Sequence, residues 1–392
     1  MALLLVVIYI TFISLGLPDS LFGVSWPLVH LEFGLDQGFG SFYSIVVALT
    51  TGGISFFAGS LVRKFGTGKV TAVSVLMTAI SLLGIALSPN IVVMIIFSVI
   101  GGLGAGAIDT GLNNYVSLNY KAMHMNWLHC FWGVGVSVSP LIMAWFLQNG
   151  DWRGGYSVVS YIQFGITALV FLSLILWKKY DKPVLLSGEG IKEDKPKITF
   201  KGIVTTKGVI CAVLALGFYC CMEFLLGTWG SSYLVSARGF GADRASLFVS
   251  LYYGGITASR FVAGLVSLKV SDNNVIRVGI AVSAVGIVVL FFPYDFCALI
   301  SFLLLGVGFG PIFPSSLHAV PVRFGADKSA DITGYMMGGA YAIGFLFQVA
   351  FGYTASATTF NITPFCLVGF CVLLFLLSEI LNKITKALAT TI

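Results

Sequence analysis

Charge is what this sequence has least of. Only 10% of its 392 residues are Asp, Glu, Lys or Arg, against about 25% in a soluble domain. Thirty-eight charged side chains (22 Lys+Arg and 16 Asp+Glu) cannot clothe a soluble surface of this size. A water-soluble globular enzyme is therefore excluded. A disordered chain is excluded by the same numbers, since 57% of the residues are hydrophobic and mean hydropathy is +0.97. Histidine is scarce too, at four residues: His30, His124, His129 and His318. No His-Glu-x-x-His, Gly-x-Ser-x-Gly or paired-aspartate pattern occurs, so the equipment of a membrane-embedded enzyme is missing. The seven cysteines lie in apolar stretches without metal-ligand spacing. Their odd number gives no disulfide framework, and neither a metal nor a cofactor is expected. Segments of about ten alternating residues are lacking, which excludes a transmembrane β-barrel.

What is present is a series of long apolar runs. A membrane-spanning helix needs about 20 apolar residues. Twelve such segments can be marked, at 3–29, 39–62, 70–88, 91–118, 125–148, 154–177, 208–235, 245–268, 274–293, 296–321, 332–354 and 360–382. The first has no basic residue before it and runs past fifteen residues, so it reads as an uncleaved span rather than a signal peptide. The fold class is thus an all-α polytopic membrane protein of twelve helices. Lys178 to Lys207 is the one long polar stretch, without apolar periodicity, and reads as a cytosolic linker. It divides the chain into a bundle at 1–177, a linker at 178–207 and a bundle at 208–392.

Basic residues set the expected orientation. With the N-terminus inside, the inner segments hold Arg63, Lys64, Lys69, Lys121, eight lysines of the linker, Lys269, Arg277, Arg323, Lys328, Lys383 and Lys386. The outer loops hold Arg153, Arg238 and Arg244, a split of eighteen against three. Both termini are expected in the cytoplasm. The net charge of +6 is a topology signal and implies no nucleic-acid partner.

The two halves repeat one another. Asp19-x-Leu21-x-Gly23 corresponds to Glu223-x-Leu225-x-Gly227, and Gly102-x-Gly104-x-Gly106-x-Ile108 to Gly306-x-Gly308-x-Gly310-x-Ile312, both at an offset of 204. Gly52-Gly53-Ile54 matches Gly254-Gly255-Ile256 at an offset of 202. Parallel six-span repeats place a binding site at the interface of the halves, near the middle of the membrane.

Three acids fall inside spans: Asp19, Asp109 and Glu223. A charged side chain there costs roughly 3 kcal/mol on insertion scales, so each needs a reason. One is ion coupling; the other is a neutral carboxyl holding helices together. Asp109 and Asn113 are four apart and share a helix face. Asn113 and Asn114 are costly in lipid unless a ligand or a helix meets them. His129 and Trp132 share a face of the fifth span. A Trp beside a His and an Asn suits a sugar ring, whose apolar face stacks on the indole while amides bind hydroxyls; pairing of His129 with Asp109 is the alternative. Gln163, Trp229, Tyr252, Tyr253 and Gln348 are further substrate-binding candidates. Arg260, in the eighth span, must find an anion, with Glu223 the nearest by repeat geometry. The glycines of the fourth span read as packing positions that let helices approach closely.

Gly59-Ser-Leu-Val-Arg63-Lys64-Phe-Gly66-Thr-Gly-Lys69 resembles the signature loop of the major facilitator superfamily, usually written G-x-L-x-D-R-x-G-R-K. Arg63 stands where that loop has its Asp, so the acid that caps the facing helix in the family is missing. Gly102 to Asn113, with Asp109 four residues before Asn113, resembles the fourth helix of the fucose–galactose–glucose:proton symporters. Leu128-His129-Cys-Phe-Trp-Gly133-Val-Gly135 with Pro140, and Gly308-Phe-Gly-Pro311-Ile-Phe313-Pro314, are similar to the fifth and tenth helices of its sodium-dependent glucose transporter branch. The resemblance implies monosaccharide uptake driven by a cation gradient, with Asp19 and Asp109 as its membrane carboxylates. Two features of drug/proton antiporters, an arginine in the fourth span and Gly-Pro-x-x-Gly-Gly in the fifth, are absent.

The expectation is a secondary active transporter importing a small polar solute, first of all a hexose, with protons or else sodium, by alternating access. Transport of a drug, nucleoside or organic anion is the alternative. A monomer in a prokaryotic inner membrane is expected.

Overall fold

In the computed structural model, residues 2–36, 39–180 and 200–389 are described. Among them all regular secondary structure is helical, and the chain falls into two compact units, Met1–Asn119 with Leu128–Lys197, and Tyr120–Trp127 with Ile198–Ile392. The expected linker at 178–207 lies mostly outside the described residues. Of its described ends, 178–180 and Phe200–Val204 are helical, and 205–207 form a turn.

The first unit holds α1 (Ala2–Asp19), α2 (Leu21–Glu32), α3 (Phe39–Phe65), α4 (Thr67–Ala86), α5 (Ile91–Asn119), α6 (Ala122–Leu147) from Leu128 onward, α7 (Trp152–Leu172) and α8 (Leu174–Tyr180). The second holds α9 (Phe200–Val204), α10 (Val209–Arg238), α11 (Ala242–Val266), α12 (Asp272–Leu290), α13 (Asp295–Phe309), α14 (Ile312–His318), α15 (Val320–Phe324), α16 (Ser329–Ala357), a 3-10 turn at Phe360–Ile362 and α17 (Thr363–Ala389). Eleven stretches of the described chain are long and apolar enough to cross a membrane. The 25-residue α11 falls where the eighth span was expected but is less apolar, carrying Arg260 and several hydroxyl residues. The protein is an all-α, multi-pass membrane protein.

The repeat is a packing code. A side chain at Gly102 or Gly106 would strike Thr50 and Thr51 of α3; one at Gly306 or Gly310 would strike Tyr252, Ile256 and Ser259 of α11. The middle glycines turn the other way, Gly104 against Ser74 of α4 and Gly308 against Gly279 and Ser283 of α12. Glycines two apart thus serve two neighbours in each half, letting backbones meet without a Cβ between them.

The first apolar segment is not one helix. It breaks at Ser20, because Pro18 has no N–H to offer the Ser14 carbonyl four residues back. Gln163 of α7 fills the gap, donating Nε2–H to that carbonyl at 3.0 Å. Pro140 in α6 orphans the carbonyl of Val136 in the same way, and the Ser20 hydroxyl donates to it at 2.9 Å. Between the two prolines α1 and α6 meet backbone to backbone: a Cβ on Gly16 would strike the Trp132 carbonyl, and one on Gly135 the Ile13 carbonyl.

The stretch expected as a conformational loop is almost entirely helix. Gly59, Arg63 and Lys64 lie in α3 and Lys69 in α4. Gly66 alone separates them, reversing the chain at φ +82°, which glycine adopts without steric cost. Arg63, Lys64 and Lys69 are exposed, and Arg63 donates to the Ser60 hydroxyl at 3.1 Å.

Candidate transport site

In the first unit the α1–α6 crossing sets the site. Asp19, the last residue of α1, is exposed at the break. Trp132 of α6 donates its indole N–H to Asp19 Oδ2 at 2.8 Å. Asp109 is close enough for its charge to act on Asp19. It is itself buried, at 8% exposure, on the face of α5 that also carries Asn113. Asn113 Nδ2–H donates to Asp109 Oδ1 at 2.8 Å and to the Asp109 carbonyl at 2.9 Å. Asn113 Oδ1 lies 2.9 Å from His129 Nε2. An amide oxygen only accepts, so the His129 hydrogen sits on Nε2. His129 is therefore linked to Asp109 through Asn113. Asn114, equally buried, is the next residue on α5.

Gln163 does not join this group. It is fully buried, and its amide is held by the Ser14 carbonyl and by Thr78 Oγ1, each at 3.0 Å. Its amide N–H caps the broken α1, and its Oε1 has no hydrogen-bond partner among the described residues.

In the second unit Glu223 lies in the unbroken α10, although its repeat partner Asp19 ends a helix. Arg260 Nη2 of α11 is 3.5 Å from Glu223 Oε1, and both side chains are largely buried. Arg260 Nε–H also donates to the Gly310 carbonyl at 3.1 Å. Removing one member of a buried ion pair costs about 3–5 kcal/mol, because the other charge is left uncompensated. The Tyr252 hydroxyl donates to the Glu223 backbone carbonyl at 3.2 Å. Tyr253 and Tyr219 feel the charge of Glu223 as well. The Tyr253 hydroxyl lies against Gly227, where there is no side chain to exclude it.

Trp229 and Gln348 form a separate pair. The Trp229 indole donates to the Gln348 carbonyl at 3.2 Å, and the Gln348 amide bonds the Thr228 hydroxyl. Two contributors escaped the sequence reading. Tyr219 is one turn before Glu223, a spacing that would have shown it. Ser20 gives no such signal, because its partner is a backbone carbonyl on another helix. Among the described residues no group of His, Cys, Asp and Glu is arranged to hold a metal ion.

Two helical units with repeated glycine contacts and carboxylates set into the spans define a multi-pass membrane protein. A sequence profile described as Major Facilitator Superfamily matches residues 8–349. The chain belongs to that superfamily and is a transporter, not an enzyme. Its curated relatives include a probable sulfoacetate transporter of Cupriavidus necator, 22% identical over 88% of this chain and 85% of that one. Another is the cis,cis-muconate transport protein of Acinetobacter baylyi, 22% identical over 76% of this chain and 73% of that one. Among solved structures, the superfamily transporter FucP in its outward conformation aligns with a TM-score of 0.74 at 13% identity, over 95% of this chain and 98% of that one. The proton:xylose symporter XylE aligns at 0.76 and 12% identity, over 97% and 95%. At such identities the structural likeness establishes the fold alone.

Proposed function

We propose that the protein imports a small polyhydroxylated solute, with a monosaccharide as the leading class, by cation symport. The observation that carries this reading is the Asp19–Trp132 pair: an exposed carboxylate held by an indole N–H at a helix break. Carboxylate and indole together offer what a sugar needs, an acceptor for hydroxyls and an aromatic face for the ring. A carboxyl that gains and loses a proton in the transport path is the minimum equipment for coupling. Asp19 carries this role, with Asp109 and Glu223 as further coupling groups. Asn113, Asn114, His129 and the tyrosines at 252 and 253 supply polar contacts. Sodium is the second ion, favoured by Thr110, whose buried hydroxyl has no hydrogen-bond partner among the described residues and follows Asp109 directly. Alternating access moves residues 1–177 against 208–392 around the site, in a plasma membrane with both termini cytoplasmic.

An organic anion is the second substrate reading. It is favoured by the names of the curated relatives, sulfoacetate and cis,cis-muconate transporters. Against it stands Arg260, whose guanidinium is buried between Glu223 and the Gly310 carbonyl. Uptake of radiolabelled hexoses and of dicarboxylates into proteoliposomes, under a pH gradient and then a sodium gradient, separates the two. Hexose uptake under a gradient supports the first reading; dicarboxylate uptake without hexose uptake replaces it with the second.

A further inference from the structure

The break after α1 and the proline inside the continuous α6 share one construction. A proline leaves the carbonyl four residues back without its helical donor, and a polar side chain from another helix takes the vacant place. Gln163 does this for Ser14, behind Pro18, and Ser20 does it for Val136, behind Pro140. The second unit repeats the construction between α13 and α14. Gly310 and Pro311 there keep right-handed helical dihedrals, at φ −49°, ψ −49° and φ −81°, ψ −14°. The chain therefore does not turn away from the helix axis. Pro314 cannot return an N–H to Gly310. The donor that reaches the Gly310 carbonyl is Arg260 Nε, at 3.1 Å. Its approach is made possible by Gly310, since a Cβ at that position would strike Ser259 and the Ile256 carbonyl of α11.

Arg260 differs from the other two capping side chains in carrying a charge. The same guanidinium that bonds Gly310 places Nη2 3.5 Å from Glu223 Oε1. Among the described residues, the groups facing Glu223 are Arg260, Tyr252 and Tyr253 from α11 and Tyr219 from its own helix, and the cation among these is Arg260. We propose that Arg260 is a positioning residue: it supplies the hydrogen bond that Pro314 withholds from Gly310, and so ties the α13–α14 break to the charge on Glu223. An intramembrane acid in α10 then governs how firmly the inner part of the tenth span is held, whatever solute the protein carries.

The test needs no substrate. Hydrogen–deuterium exchange is followed in the full chain in lipid nanodiscs, on peptides covering 306–318, with peptides of α12 at 275–290 as reference. Arg260→Gln is expected to speed exchange in 306–318 by about tenfold or more, the loss of one hydrogen bond to a charged group, with the reference unchanged. Adding Pro314→Ala restores the wild-type rate, because the new N–H can bond Gly310 itself. Glu223→Gln, which keeps Arg260 but removes its counter-charge, gives a smaller acceleration in the same peptides. If Arg260→Gln alone fails to fold, recovery of folded protein by the added Pro314→Ala carries the same meaning. The proposal is overturned if Arg260→Gln exchanges at the wild-type rate, or if Pro314→Ala restores neither exchange nor folding. Wild-type exchange in Glu223→Gln overturns the link to Glu223. A null result here leaves the sugar reading untouched, since no transport enters the measurement.

Discussion

The indole N–H of Trp132 meets the carboxylate of Asp19 at 2.8 Å, across a crossing where α1 and α6 touch through Gly16 and Gly135. The bond joins the carboxylate proposed for ion coupling to the aromatic ring proposed to meet the solute. Trp132→Phe keeps the ring and deletes the donor. A hydrogen bond to a charged group contributes about 1.5–3 kcal/mol. Trp132→Phe is therefore expected to lower gradient-driven uptake at least tenfold while binding of labelled solute at equilibrium changes less. Equal loss of both would show that the indole N–H acts in solute binding and not in coupling.

His129 is expected to act through Asn113. Its Nε2–H fixes the Asn113 amide, and the amide fixes Asp109. His129→Gln retains a side-chain N–H donor and should keep a substantial part of transport. His129→Phe leaves Asn113 Oδ1 without that donor in a buried place, at a cost of about 1–3 kcal/mol. Uptake assays and melting temperatures of the two variants, measured side by side, check the order. Equal loss in both would place the imidazole itself in contact with the solute.

The α1–α6 crossing leaves no room for a methyl group. Gly16→Ala or Gly135→Ala forces a Cβ onto a backbone carbonyl of the other helix, and overpacking of this kind costs about 1–3 kcal/mol. Both variants should melt several degrees below wild type in detergent. Gly165, in α7, has no heavy atom within 4 Å of where its Cβ would stand, and Gly165→Ala should melt no lower than wild type.

Gln163 is expected to matter for the helix break rather than for the solute. Gln163→Ala strands the Ser14 carbonyl in a buried place, at about 1–3 kcal/mol. Pro18→Ala supplies the missing N–H, so the double variant should melt close to Pro18→Ala alone. A loss of solute binding in Gln163→Ala with an unchanged melting temperature would instead return Gln163 to the list of ligand contacts.

The twelve spans, their repeat and the intramembrane acids were legible in the sequence because the bilayer imposes them. Apolar length and the cost of a buried charge both act residue by residue. The Arg260–Glu223 pair could be anticipated for that reason: a buried cation must find an anion, and repeat geometry left one within reach. What the sequence hid involves the backbone. The roles of Ser20, Gln163 and Arg260 toward Val136, Ser14 and Gly310 depend on carbonyls freed by prolines four residues on. Nothing in the residue types says which neighbouring helix will answer. The shortness of the turn between Gly59 and Lys69 was hidden for a related reason. One glycine at positive φ reverses the chain, and the charged residues around it remain on helices.

The central claim is cation-coupled import through Asp19. Its most direct measurement is uptake of radiolabelled hexose into proteoliposomes under an imposed pH gradient, with wild type beside Asp19→Asn. The account predicts accumulation in wild type and only downhill equilibration in Asp19→Asn, with the exposed carboxyl gone and the fold intact. Accumulation in Asp19→Asn at the wild-type level would contradict it.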